Sequence, residues 1–552
     1  MKKLLTLLAA LLLLAGCGSP NNGGNAEVPV RMATLQAPTP LISMDTAIAT
    51  DGTSFIAQTM CMGGLMELDA AGNPVPDLAE SYTVSDDGMV YTFKIRDNAV
   101  WSNGDPVTAN DFVYAWQRVT EPDIASDYNW IFETANIVNG ACYDPDSGLV
   151  PADLGVKALD DKTLEVSLIA PSGFFLQLTA FPSFFPVKES FVTEKGDQYA
   201  LSKEDILYCG PYVLSSWTPG YSFEFELNPN YWNADLYKEK YAEKVVFREI
   251  TDPQTCLMEY ESGNLDTVSL SGEQVDANSS VDGFVNRLQG YLFYVSVNIN
   301  NNDHNRTGAA DLDNLNVRKA LSYAIDREAL VKVLNDGSVA AEGIVPIALA
   351  FNPESGKDFR EDSGAQVAYD PAEAKKFYEA AKAELDHDVT LELMYGSDEG
   401  ESVIKAAEQL QFFFEEAGFT VNLNPKPKKE RLSLSRNDHD YDIMLTRWGP
   451  DYGDPQTYMD LFTSWNVSNN PGGYASSAYD ELILDAETGA GLSDQIARWN
   501  DFVAAEKVLV GDDAAVIPVF QAGGAMIINP KISGIEFHSA AVDSYRHIVV
   551  NK

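Results

Sequence analysis

Strand-like and helix-like periods alternate along the whole of this chain, and that alternation restricts its fold more than any other feature. "MVYTFKIRD" (89–97) alternates apolar and polar residues as a half-buried strand, entered through a turn at Asp86-Asp87-Gly88. In the following "WSNGDPVTANDFVYAWQRV" a Gly-Asp-Pro turn leads into a helix. Thr108 can cap it with Asp111 three residues on, and Phe112, Val113, Ala115, Trp116 and Val119 form its apolar stripe. "LEVSLI", "FEFEL" and "YLFYVSVNI" (291–299) read as strands. "NVRKALSYAIDREALVKVLNDG" reads as two helices, broken at Asp326, which can cap the second, and closed by Gly337. "ESVIKAAEQLQFFFEEAGF" is an amphipathic helix ending at Gly418, before the strand "TVNLN", and "AVIPVFQAGG" is a buried strand. At 552 residues the chain exceeds one core, so the pattern predicts several α/β lobes.

The first residues predict the compartment. Met1-Lys2-Lys3 is basic and Leu4 to Leu14 is apolar. A bilayer span needs about 20 residues, so this run is too short and reads as a secretory signal, 1–16. The "LAGC" that ends at Cys17 resembles the bacterial lipobox, which implies cleavage before Cys17 and a lipid anchor on it. Residues 17–28, with "GSPNNGGNAE", read as the lipidated cysteine and a flexible tether, and folding is expected to start near Val28. The expected location is the extracytoplasmic face of the cell membrane, held in the outer leaflet by acyl chains.

The net charge of −44 argues against a nucleic-acid partner, which needs basic surface. It suits solubility outside a cell, with attraction of cationic ligands as a second reading. Cys61, Cys142, Cys209 and Cys256 remain after Cys17. They can pair in three ways or stay as buried thiols, and their spacing does not decide. The five histidines are scattered, and "NDHDYD" (437–442) reads as a solvated strand entry rather than a metal site. "DPDSG" (144–148) opens like a calcium loop but lacks the glutamate at its twelfth position. "SVIK" (402–405) matches Ser-x-x-Lys without its KTG companion. No catalytic constellation, metal site or cofactor is predicted.

"RWGPDYGDPQTYMD" (447–460) is the stretch with most chemistry in it, setting Asp451 and Asp454 among Trp448, Tyr452, Tyr458, two glycines and two prolines. Paired carboxylates can serve a glycosidase. Residues three apart in such a turn need not face each other, and Pro455 gives Asp454 a turn reading.

Four blocks, in order, resemble the solute-binding proteins of ABC importers, specifically the oligopeptide- and dipeptide-binding family. They are residues 63–118, "GPYVLSSWTPGYSFEFELNPNYW" (210–232), "NLNVRKALSYAIDREALVKVL" (314–334) and "WGPDYGDPQTYMDLF" (448–462). The first block runs from "GGLMELDAAGNP" to "DFVYAWQR". The resemblance implies an α/β, two-lobed, Venus-flytrap fold of the periplasmic-binding-protein kind, with an extra subdomain in lobe one. Projected here, the lobe-one core is 29–60 with 190–290 and 515–552, the subdomain 61–189 and lobe two 291–514, with hinge strands near Tyr291–Asn298 and Ala514–Phe520. It implies a non-catalytic, monomeric receptor that traps short peptides between its lobes and delivers them to permease subunits. In peptide-binding members the aspartate of W-x-x-D-Y holds the ligand's α-amino group, and Asp451 is the matching position, with Trp448, Gly449, Pro450 and Tyr452 beside it. "LISMD" resembles the lobe-one segment lining the cleft, which makes Ser43, Met44 and Asp45 further expected ligand contacts. Arg447 adjoins the site, but strand alternation would turn it away. The family also has members for nickel, opines and sugars, so a non-peptide solute is the alternative.

Overall fold

In the computed structural model the described residues are 30–37, 39–299, 307–467, 469–488 and 494–551. The signal and Cys17 lie outside them. No described helix is long and apolar enough to cross a membrane.

The first lobe is built on a four-stranded sheet in which Met32–Ala37 runs parallel to Lys244–Glu249, followed by Ser222–Leu227 and Tyr212–Thr218. Alternation buries Ala33, Leu35, Phe223, Phe225, Val245 and Phe247 in one core. That core continues without a break into a second antiparallel sheet, ordered Ala79–Val84, Val90–Ile95, Thr163–Ser167, Val156–Asp160. The helix Ala109–Thr120 buries Phe112, Ala115, Trp116 and Val119 on the same core, as its stripe predicts. Its capping box forms: Thr108 N donates to Asp111 Oδ2 at 2.8 Å.

The second lobe carries two apolar cores, one on each face of a seven-stranded mixed sheet. Glu401–Ala417 packs Val403, Ala406, Ala407, Leu410, Phe413 and Phe414 on one face and stops where Gly418 adopts φ +119°. The helix Arg327–Leu334 starts on Asp326, whose carboxylate accepts from Ala329 N at 2.9 Å. It ends at Asn335, which takes the left-handed conformation expected of Gly337.

Two long strands join the lobes. Phe284–Val297 pairs antiparallel with Val516–Ile528 along both lengths. The ladder is interrupted between Leu288, opposite Gly523, and Leu292, opposite Gln521. Both strands start earlier or run on further than the sequence suggests. Ala515 to Ile517, Val519 and Phe520 pack in the second lobe's cores, whereas Ala525 and Ile527 pack with Cys256 and Val268. The two strands therefore change their packing partners at the interrupted stretch. Glycine is required there, because a Cβ on Gly290 would collide with Ser539 O and the Pro450 ring, and one on Gly523 with Gly337 O.

All four described cysteines are buried and free. Burial pushes the Cys61 thiol up, and that of Cys209 up to about 12, so both stay protonated.

Candidate functional site

A cavity of about 1110 Å³ lies between the lobes, larger than the usual small-ligand pocket. The first lobe contributes Phe55, Tyr128 and Phe181, and the second Tyr294, Phe462 and the stretch Arg447 to Asp451. The edge strand Thr267–Leu270 also forms part of its wall.

The strand Ile443–Trp448 delivers the chain to this cavity, paired with Phe284–Val297 so that Trp448 faces Leu292. Gly449 follows, packed so closely on the Tyr291 ring that a Cβ there would push the ring aside. Tyr458 Oη lies 2.5 Å from Gly290 O and 3.1 Å from Trp448 O, which ties the loop to the hinge. The loop's two aspartates then part company. Asp454 is clamped by Arg498 in a bidentate pair at 2.7 and 2.8 Å and accepts from Gln456 N at 3.0 Å. It is a brace. Asp451 lines the cavity, and among the described residues its carboxylate has neither an ion pair nor a hydrogen bond; only its backbone N is engaged, by Thr457 Oγ1 at 3.2 Å. Burial without a compensating cation pushes its pKa up to about 7. The Tyr128 hydroxyl opposite is raised too, by burial first and then by Asp451's charge. Trp448 Nε1 is a second unspent group, buried without an acceptor among the described residues.

Asp451, Trp448, Gly449 and Pro450 thus share the cavity wall. Four other expected contacts do not line it. Asp45 is buried and spent on Arg118, with Nη1–Oδ1 at 2.7 Å and Nη2–Oδ2 at 2.6 Å. Met44 is fully buried in the first lobe's core. Ser43 Oγ accepts from Asp45 N at 3.1 Å and the Ser43 backbone is held by Ser54 and Gln58, so the segment braces lobe one. Tyr452 turns down from the cavity into the first lobe's core, its ring stacked on Phe174 at 4.1 Å. Gly453 N, next in the chain, donates to Gln177 Oε1 at 2.8 Å. Only about 40 Å³ of space remains on this far side of Asp451. Neither Phe174, Gln177 nor Tyr128 stands out in the sequence, because each acts through a fold contact with residues distant along the chain.

This arrangement, a two-lobed α/β body with a cavity at a two-strand hinge, agrees with the comparisons. Residues 73–470 match the family described as bacterial extracellular solute-binding proteins, family 5 Middle. The chain belongs to that family. It is 32% identical to the dipeptide-binding protein of Lactococcus lactis over 96% of its own length and 95% of the other. It is 32% identical to the periplasmic oligopeptide-binding protein OppA of Salmonella typhimurium, covering 85% and 83% of the two chains. Among solved structures it is similar to Listeria monocytogenes OppA bound to peptide, with 33% identity, 95% and 100% coverage and a TM-score of 0.77. The substrate-binding domain of a Bacillus anthracis oligopeptide ABC transporter is similar at 34% identity, 95% and 99% coverage and a TM-score of 0.79. In the present chain Asp451 stands at the cavity wall without an ion pair among the described residues.

Proposed function

We propose that this solute-binding protein is a lipid-anchored extracytoplasmic receptor that captures short peptides between its lobes and passes them to the permease of an ABC importer. The observation that carries this reading is Asp451, a half-buried carboxylate on the cavity wall, raised to about 7 by desolvation and without a cation among the described residues. Such a group gains from an ammonium that replaces poor hydration with a charge-assisted hydrogen bond. A peptide's α-amino group is the ligand cation proposed here. The orphan Nε1 of Trp448 offers a donor for a main-chain carbonyl. Names of relatives such as the dipeptide-binding protein support the same ligand class. The resemblance of "LAGC" to a lipobox supports the anchor at Cys17.

Denaturing the purified protein and analysing what it releases by mass spectrometry tests the ligand class. Short peptides with free amino termini are expected; an oligosaccharide or opine would overturn the reading. Labelling cells with a radioactive fatty acid tests the anchor, which Cys17→Ser should abolish.

A further inference from the structure

Across the chain, acidic residues outnumber basic ones 82 to 38. The cavity inverts that balance. Its wall carries five basic side chains against four carboxylates. Two of the bases are spent: Arg287 on Asp543 at 2.9 Å and Arg431 on Glu399 at 2.8 Å. Three are not paired to any carboxylate among the described residues: Lys428, Arg436 and Arg447. Lys428 and Arg436 belong to one helix, Lys428–Arg436, whose Lys428, Arg431, Leu432, Ser435 and Arg436 all reach the cavity, as 3.6-residue spacing places them on one face. Arg436 makes one long hydrogen bond, 3.5 Å, to the neutral Asn469. The Arg447 guanidinium lies over the rings of Tyr291 and Phe293, at 5.1 and 5.4 Å. Strand alternation does put its Cβ on the Phe293 side, yet its end still reaches the cavity mouth.

A peptide whose amino group sits on Asp451 would leave these three cations facing the rest of the ligand. The C-terminal carboxylate answers one of them. We propose that the cavity selects acidic peptides, with at least one Asp or Glu side chain besides a free C-terminal carboxylate, set against Lys428, Arg436 and Arg447. The peptide orientation rests on the proposed amine contact at Asp451; the charge preference rests on the basic wall itself. Selection works in both directions, since a lysine side chain placed there meets like charge. The protein's overall negative field repels such ligands at a distance, so their association is expected to quicken with added salt while their dissociation quickens more.

The test is calorimetric binding of Ala-Ala-Glu-Ala against its Gln and Lys counterparts, with the variable residue moved through positions two to four. At the best position Glu should bind about tenfold tighter than Gln, and Lys weaker still. Lys428→Gln, Arg436→Gln and Arg447→Gln, all exposed and therefore safe for folding, should between them erase the Glu-over-Gln ratio, and the one that meets the C-terminal carboxylate should weaken Glu and Gln peptides alike. Equal affinity for Glu and Gln at every position, or a preference for Lys, overturns the proposal. N-acetylated peptides separate the two ideas: if acetylation has no effect yet Glu is preferred, the Asp451 contact fails and the acidic selection stands. If no peptide binds, both fail.

Discussion

The Tyr452 ring, which follows Asp451 in the second lobe, lies flat on Phe174 of the first, with centroids 4.1 Å apart and planes 14° from parallel. With the Gly453–Gln177 hydrogen bond beside it, this stack fixes the backbone that immediately follows the Asp451 carboxylate to the opposite lobe. Lobe contact and ligand site therefore share one loop, and anything that loosens the stack should reduce the fraction of receptor in the binding-competent form.

Phe174→Leu keeps apolar bulk and removes the stack. An aromatic pair contributes about 0.5–1.5 kcal/mol beyond its area, so affinity should fall roughly two- to tenfold for every ligand alike, with the penalty for N-acetylation unchanged. Titration calorimetry with a free and an acetylated peptide reads both. A drop confined to free-amine peptides would mean that Phe174 acts on Asp451 directly.

Binding should release a proton near neutral pH. Burial raises Asp451 to about 7 in the empty cavity, and an ammonium ligand lowers it. As pH falls below that value the carboxyl must lose a proton to bind, so affinity should drop by up to about tenfold per pH unit between 7 and 5. For the empty receptor the sign is opposite: a raised carboxyl contributes stability present at low pH and lost as pH rises through about 7. Calorimetry at pH 8, 7, 6 and 5, in two buffers of different ionisation enthalpy, checks the affinity and the proton count together.

The four cysteines give a simpler expectation. All are buried thiols, so a thiol reagent should find none of them promptly in the native protein and all four in denaturant. Reductant should leave the melting temperature unchanged. A fall in melting temperature with reductant would reveal a disulfide.

The sequence carried local features into the structure more faithfully than distant ones. The Thr108–Asp111 box and the Gly418 stop depend only on neighbours in the chain, and both form. The hinge strands were legible where they are apolar, at 291–297 and 516–520, but not in "FVNRLQ" (284–289), whose polar residues mask a strand held by its partner. The buried strand read as far as Gly524 runs on to Ile528, and glycine at 523 admits the Gly337 backbone beside it. Asp45 resembled a cleft residue, but its partner Arg118 lies 73 positions away on a helix that only the fold brings near. The stack of Tyr452 on Phe174 was hidden for the same reason. No local pattern names Phe174 as its partner.

The central claim is that Asp451 meets the ligand's ammonium, and its most direct measurement is the affinity of one short peptide and its N-acetylated twin for wild type and Asp451→Asn. Removing one partner of a buried charge pair costs about 3–5 kcal/mol. Acetylation should therefore weaken wild-type binding by roughly two to almost four orders of magnitude and scarcely change the variant's. Equal wild-type affinity for the two peptides would contradict the account.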